Sequence, residues 1–364
     1  MKVCLIGYNP TNFIIALEFI KKGFKVDILF EKLKKKTKTN RTIGISKNNF
    51  EYLVLNTKKI IKYSWPIKKI KIFNKKNNSN EFLEFNNQDK KNFFLIKYTD
   101  LFNVLERNCK KSKKIFFKLA KKKEIENLEI KNKYSLVINS ENNNFLTKKH
   151  LNQTIKKDYN SSAFTGILHH YKIENNTAIQ IFTQYGPLAF LPLSETKTSI
   201  VYSVDKKYCF GHDEVKKKIL EFNKFYKAKK IDELESFDLK YYFSRNFFYK
   251  NILFFGDQMH KMHPLAGQGF NVTIRDIIVL NKLIDEKINC GLDLNKSLLE
   301  DFKNKVQHYN YIFTTGVNLI NDFFILDNKF NSNISKNLFK ILNKSKIFKK
   351  YSIIFADKGI NLNY

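Results

Sequence analysis

The pattern of apolar and polar positions divides the chain into a mixed start, a β-rich middle and a helical end. Lys2-Val3-Cys4-Leu5-Ile6 is a short apolar run closed by Gly7. Phe13 to Ile20 then sets apolar residues at helical spacing, and Gly23 stands where a helix C-terminal glycine belongs. Phe24 to Phe30 alternates like a second strand and ends at Glu31. Strand, tight turn, helix, strand and terminal acid is the layout of a dinucleotide-binding βαβ unit. Further on, Lys32 to Asn40 reads as a solvated basic loop, 43–55 as a helix, 67–85 as β-like alternation, 99–109 as an amphipathic helix and 134–138 as a buried strand. Three long β-like runs, 163–173, 177–193 and 198–204, predict an antiparallel meander, and 215–229 predicts a helix. Asn251 to Phe255 is a strand leading into Gly256-Asp257, after which the pattern is helical to the end.

This order predicts an α/β protein: a Rossmann-like nucleotide-binding domain interrupted by a β-rich substrate lobe and completed by C-terminal helices. The nucleotide domain is expected in three pieces, 1–65, 96–150 and 245–325. The lobe falls at 66–95 and 151–244, and a helical tail at 326–364.

Composition narrows the picture. A chain of 364 residues, 43% of them hydrophobic, has room for a sizeable core and is no disordered polymer. Lys and Arg number 66 against 34 acids, a formal charge of +32. Arg stands only at 41, 107, 245 and 275, and the lysines are scattered among Asn, Ile, Phe and Tyr, the residues of AT-rich codons. No RNA-binding signature or basic zipper organises them, so nucleic acid is not expected as a partner, whereas an anionic membrane surface is. Cys4, Cys109, Cys209 and Cys290 lie far apart without a CxxC pair, the pattern of reduced thiols in a cytosolic protein. Asn9-Pro10-Thr11-Asn12 interrupts the first apolar run, which argues against a signal peptide, and no apolar run is long enough to span a bilayer.

The densest chemistry lies in Gly256-Asp257-Gln258-Met259-His260-Lys261-Met262-His263-Pro264-Leu265-Ala266-Gly267-Gln268-Gly269-Phe270-Asn271. A carboxylate directly after a buried strand stands at the sheet edge where open α/β folds bind ligands, and Asp257 there can accept from a sugar-like hydroxyl. The glycine turn lets backbone approach a flat ligand, and the helix beginning near Phe270 presents free N–H groups and a partial positive charge. His260 and His263 are three apart, but no further ligand stands nearby, so no metal is expected.

This segment resembles the second FAD fingerprint of the group A flavoprotein aromatic hydroxylases, and within them the ubiquinone-biosynthesis hydroxylases. Gly256, Asp257, His260, Pro264, Gly267, Gln268, Gly269 and Asn271 match, with Arg275-Asp276 where the family's helix continues. Asn40 to Ser46 resembles the family's Arg-containing segment, Phe182 to Leu193 its Gly-Pro-Leu-Ala strand, and His308-Tyr309 through Phe324 its closing helices. The resemblance implies a para-hydroxybenzoate hydroxylase-like fold that binds FAD. Asp257 would hold the ribityl chain, Pro264 would lie against the flavin ring, and Gly267 to Asn271 would surround its pyrimidine end. Glu31 would bind the adenosine ribose, Arg41 the diphosphate and ribityl region, and Gly7, Asn9 and Asn12 would form the diphosphate turn. It implies an NAD(P)H- and O2-dependent monooxygenase that hydroxylates a polyprenylated phenol through a C4a-hydroperoxyflavin. The flavin carries the chemistry, so no catalytic side chain is named. Phe182, Tyr185, Leu188 and Phe190 are the candidate phenol pocket. The setting expected is cytoplasmic, or peripheral on the inner membrane face beside other ubiquinone-biosynthesis proteins, with the Lys-rich apolar tail from Leu338 to Ile354 resting on the bilayer.

Two stretches depart from the family. Its Gly-x-Gly-x-x-Gly is here Gly7-Tyr8-Asn9-Pro10-Thr11-Asn12, and the Asp-Gly pair expected after the strand at 134–138 is Ser140-Glu141. Asn tolerates positive φ, so the turn survives, but its side chain fills space the diphosphate needs. These departures keep an alternative open: a flavin-free relative that binds prenyl-phenol lipids or serves as a scaffold.

Overall fold

The computed structural model describes residues 1–31, 39–74, 83–86, 93–129, 133–142, 144–264, 267–330, 345, 352 and 354–359. The first apolar run is β1 (Lys2–Ile6) and the alternating run is β2 (Lys25–Phe30), joined by α1 (Pro10–Lys21). The strands pair in parallel, with Val3 opposite Val26 and Leu5 opposite Ile28. Beyond β2 lies β8 (Ile115–Leu119), and on the other side of β1 lie β9 (Leu136–Asn139), β17 (Ile252–Phe254) and β16 (Phe248–Tyr249). The spatial order is β16-β17-β9-β1-β2-β8. Chain direction across the sheet therefore reverses between β1 and β9. Such a switch point opens a crevice at the carboxyl ends of the two strands, where open α/β sheets bind ligands.

The second sheet is β5 (Lys69–Asn74), β6 (Leu83–Asn86), β10 (Thr154–His170), β11 (Thr177–Thr183), β12 (Gly186–Ser194), β13 (Lys197–Asp205), β14 (Ala228–Ile231), β15 (Glu235–Ser244) and β18 (His260–Lys261). Most of it is antiparallel, as a meander predicts, but β5 joins β11 in parallel from far upstream. A third, smaller sheet orders β3 (Thr42–Ser46), β7 (Phe93–Lys97) and β4 (Ser64–Ile67). The helices are α2 (Lys47–Asn56), α3 (Tyr98–Lys110), α4 (Lys122–Glu126), α5 (Phe145–His150), α6 (His212–Phe222), α7 (Gln268–Asn289) and α8 (Lys296–Phe330).

The main core joins β1 and β2 to α1, α2, α3, α7 and α8 through fully buried Leu5, Phe13, Phe19, Phe247, Phe255 and Phe302. A separate lobe core lies between the second sheet and α6, around Tyr202, Phe190, Leu188 and Ile219. Burial on this scale, at about 1.5–3 kcal/mol per large apolar side chain, is what offsets the ordering of two linked units.

Several boundaries differ from the sequence pattern for local reasons. The segment expected as one helix over 43–55 begins as β3, because Ile43 and Ile45 alternate inward and pair with Ile96 and Phe94 of β7. The run 177–193 is a hairpin: Gly186 at φ +136° turns the chain, and a Cβ there would lie 2.1 Å from the Ser203 carbonyl oxygen. The helix expected to 229 stops at Phe222, and Ala228–Ile231 pairs with β10 instead. Most of the basic loop (32–38) and most of the tail from Leu338 to Ile354 lie outside the described residues. The last described stretch docks on the main domain: Arg275 Nη1 donates to the Ala356 and Asp357 carbonyls, and Asn48 N–H donates to Asp357 Oδ1 at 3.0 Å. Asp357 thus caps α2 from a distance, since Ser46 at its N-terminus makes no side-chain cap. Among the described residues no helix is long and apolar enough to cross a membrane.

Candidate functional site

Where β17 ends, Gly256 adopts φ +67° against Thr11 of α1, and the following Asp257 projects an exposed carboxylate. Three other loops bring side chains to the same cleft. Tyr98 opens α3, its N–H donating to the Arg41 carbonyl at 2.9 Å, and the Arg41 guanidinium lies 5.4 Å from the Tyr98 ring centre. Burial raises the Tyr98 hydroxyl above the ordinary phenol range; the Arg41 charge opposes that rise, while Asp257 and Glu141 add to it. Arg41 and Tyr98 are thus in direct contact, with Asp257 and Glu141 near enough to act on the Tyr98 hydroxyl. A cation, a phenol and two carboxylates there can hydrogen-bond a polyhydroxylated ligand. Tyr98 has no mark in the sequence beyond opening a helix, and pattern reasoning passes over it.

One amide network holds the floor of this cleft. Asn139 is fully buried at the end of β9, and its Oδ1 accepts from Asn144 Nδ2, Gln258 Nε2 and Glu141 N–H. Asn144 caps α5 through Thr147 N–H, and Thr147 in turn donates to Gln258 Oε1. The two loops that carry Glu141 and Asp257 are tied together this way, without any glycine pair.

A second feature is the start of α7. Gly267 sits in the left-handed region at φ +62° and precedes a 22-residue helix with no side-chain cap. Its first-turn N–H groups and positive dipole end are open to an anion. A Cβ on Gly267 would lie 3.3 Å from the Gly44 backbone nitrogen, so the turn packs directly on β3. Asn271 fastens that contact. Its Oδ1 accepts from Ser46 N–H and Asn49 Nδ2, and its Nδ2 donates to the Gly44 and Gly267 carbonyls. Its amide is therefore consumed within the protein and acts on a ligand by holding the two walls together. Pro264 and Gly269 are partly exposed, and Gln268 is buried with its Oε1 unpartnered.

The front loop differs. Gly7 takes φ +117°, and the space over it is filled: an added Cβ would lie 2.9 Å from Asn9 Nδ2, 3.1 Å from Ser140 Oγ and 3.3 Å from Asn12 Nδ2. Asn12 Nδ2 donates to the Ile6 and Gly7 carbonyls at 2.9 and 2.8 Å. Asn9 Oδ1 accepts from Asn12 N–H, capping α1, while its Nδ2 donates to Ser140 Oγ at 2.9 Å. Glu31 is exposed just past β2. The residues thus suit the flavin and ribityl half of FAD as they stand. The diphosphate half has its glycine cradle filled by this chain's own amides.

The four candidate pocket residues do not form one site. Strand alternation separates them: Phe182 pairs with Pro187, whereas Leu188 and Phe190 point the other way into the lobe core beneath α6, both with no exposed surface. Tyr185 packs edge-on against Tyr208 and Phe210 in the same outer cluster. Of the four, only Phe182 shares the opposite face, which carries Ala163, Ser199 and Ser203 beside the larger Ile167 and Leu191. His260 and His263 do not converge either. His260 Nε2 pairs with Asp276 Oδ2 at 2.7 Å, and Asp276 accepts from Asn310 of α8. His263 lies edge-on to Tyr159, and burial lowers its pKa to about 4, leaving it neutral.

Residues 204–295, which include this glycine turn and Asp257, match the FAD binding domain family. The chain is 26% identical over 210 residues to the mitochondrial ubiquinone biosynthesis monooxygenase COQ6 of Danio rerio, covering 46% of this chain and 43% of that protein. It is 26% identical over 171 residues to the ubiquinone hydroxylase UbiM of Neisseria meningitidis, covering 45% and 37%. The matches thus span under half the length of these relatives. In fold the chain is similar to p-nitrophenol 4-monooxygenase PnpA of Pseudomonas putida, with a TM-score of 0.77 at 13% identity over 98% of this chain and 97% of that one. The flavin-dependent brominase Bmp2 is similar as well, with a TM-score of 0.69 at 12% identity, over 98% of this chain and 100% of that one. Sequence and fold agree: residues 204–295 match an FAD binding domain, the fold is that of FAD-dependent monooxygenases, and the chain is similar in sequence to ubiquinone-biosynthesis monooxygenases.

Proposed function

We propose that the protein is an FAD-dependent monooxygenase that hydroxylates a polyprenylated phenol in ubiquinone biosynthesis, with NAD(P)H and O2 as co-substrates. The observations that support this reading are the grouping of Arg41 with Tyr98 under the influence of Asp257, and the N-terminus of α7, which has no side-chain cap and packs on β3 through Gly267 and Gly44. That arrangement suits a ligand with a hydroxylated chain at one end and a ring that gains negative charge at the other. FAD, when bound and reduced, supplies activated oxygen for one ring position of the substrate. The chain's own part is to bind and orient. Asp257 accepts from ribityl hydroxyls, Arg41 and the α7 dipole favour negative charge, and Asn271 keeps the Gly44 and Gly267 walls in contact.

A polyprenyl tail implies work at a bilayer. Support comes from the turn after α2, where Leu55, Ile61 and Tyr63 are 78%, 53% and 44% exposed beside the exposed Lys58, Lys59 and Lys62. Apolar side chains interleaved with lysines suit an anionic lipid surface. The test of the main reading is direct: the protein with FAD should show flavin absorption bands and oxidise NAD(P)H when a prenylated phenol is added. Absence of flavin bands both before and after FAD is supplied overturns it in favour of the flavin-free lipid-binding alternative.

A further inference from the structure

The reversal of strand order places the mouth of the dinucleotide crevice between the ends of β1 and β9, which pair side by side with Ile6 opposite Asn139. In βαβ dinucleotide units the diphosphate sits there, on the N–H groups that open the first helix, with glycines leaving it room. Here one side chain spans the mouth. Asn9, in the turn after β1, donates from Nδ2 to Ser140 Oγ at 2.9 Å, and Ser140 directly follows β9. The same residue's Oδ1 accepts the Asn12 N–H at 3.1 Å, and Pro10 has no N–H to offer. Of the first-turn donors of α1, little beyond Thr11 is left for a phosphate.

The two asparagines have different parts. Asn12 is fully buried, and its Nδ2 pins the Ile6 and Gly7 carbonyls, so it fixes the turn from beneath. Asn9 is only partly buried, and its bonds all lie at the mouth of the crevice. Rotation of one side chain would release both the Asn12 N–H and the Ser140 hydroxyl toward a ligand. We infer that Asn9 is an intramolecular stand-in for the cofactor's diphosphate: a latch that closes the crevice in the FAD-free chain, must swing aside for FAD to bind, and so sets cofactor affinity. The inference rests on the flavoprotein reading above, and it makes FAD in this protein an exchangeable ligand with a well-capped apo state.

The test measures dissociation constants by flavin fluorescence quenching and apo melting midpoints for the full chain and two variants, with FAD and riboflavin as probes. Asn9→Gly removes the competing amide. It should tighten FAD about tenfold, equivalent to about 1.4 kcal/mol, leave riboflavin unchanged and lower the apo melting midpoint. Asn9→Asp keeps the α1 cap but sets a carboxylate where phosphate must lie. It should retain apo stability and weaken FAD more than tenfold, again without effect on riboflavin. Equal FAD affinity in the parent and Asn9→Gly overturns the latch while leaving the flavoprotein reading intact, and so does parallel tightening of riboflavin. Failure of every form to bind either flavin overturns both.

Discussion

Asn271 offers the sharpest check on how the site is held. It is fully buried, and each atom of its amide is used. Asn271→Leu keeps the branched shape and removes the bonds. Ser46 N–H and the Gly44 carbonyl then lose a partner in a place water does not reach, while Asn49 Nδ2 keeps its bond to the Asn271 backbone carbonyl. At about 1–3 kcal/mol for each stranded buried group, with some relaxation, the loss comes to about 3–5 kcal/mol. Unfolding entropy of about 2.1 cal/mol/K per residue makes this a fall of about 5 °C in melting midpoint for a chain of this length. Asn271→Asp separates the two halves of the effect. It still accepts from Ser46 and Asn49 but cannot donate to Gly44 and Gly267, so a loss smaller than that of the leucine variant is expected at neutral pH. Denaturant titration gives the free energies, and fluorescence titration with riboflavin reports whether the Gly44 and Gly267 walls still meet. An Asn271→Leu variant within about 1 kcal/mol of the parent, with unchanged riboflavin affinity, would refute the claim that this amide assembles the site.

Three further outcomes follow from other parts of the molecule. Burial lowers the His263 pKa to about 4, against about 6.5 unfolded. Above pH 6.5 both states are neutral there; between 6.5 and 4 only the unfolded chain binds the proton, so stability falls on acidification by up to about 3 kcal/mol, and His263→Phe should flatten that limb of the pH–stability curve. Gly186→Ala forces a Cβ to within 2.1 Å of the Ser203 carbonyl oxygen at φ +136°, and should cost at least about 3 kcal/mol by denaturant titration. Replacing Lys58, Lys59 and Lys62 together by Glu should weaken co-sedimentation with phosphatidylglycerol vesicles while leaving the melting midpoint unchanged, since an exposed lysine at an anionic surface contributes about 1 kcal/mol. Vesicle binding unchanged by the triple substitution would remove this turn as the membrane contact.

The fold was legible where a single local rule decides. The strand–turn–helix–strand start, the antiparallel runs and the return to a strand before Asp257 each follow from periodicity and reappear as β1–α1–β2, β10 to β13 and β17. Misreadings arose where two rules compete. Thr42 to Ser46 is apolar enough for either a strand or a helix, and only its pairing with β7, some fifty residues downstream, makes it a strand. The pocket residues failed for a related reason. Phe182, Leu188 and Phe190 look alike in composition, but pairing register across the 183–186 turn sends them to opposite faces, and register is a property of two strands. Tyr98 and Asn139 were invisible because their importance comes from what four loops bring near them, which no linear spacing records.

The same contrast explains why one half of the cofactor site follows the family pattern and the other does not. Around α7 the constraint is backbone against backbone: Gly267 touches Gly44, so no side chain can be added there without moving β3. Around α1 the glycines leave a hole for a ligand to fill, and a hole can be filled by the protein itself. Asn9 and Asn12 do this with amides that satisfy the very N–H and C=O groups a diphosphate turn leaves open. The substitution therefore removes a cost of the cofactor-free state, the unsatisfied turn, and transfers that cost to the moment of binding. Loss of the glycines is then no sign of a dead site. With Asn9 as a latch, the apo form stays folded between encounters with FAD, and changes at Asn9 are expected to move FAD affinity while leaving riboflavin affinity unchanged.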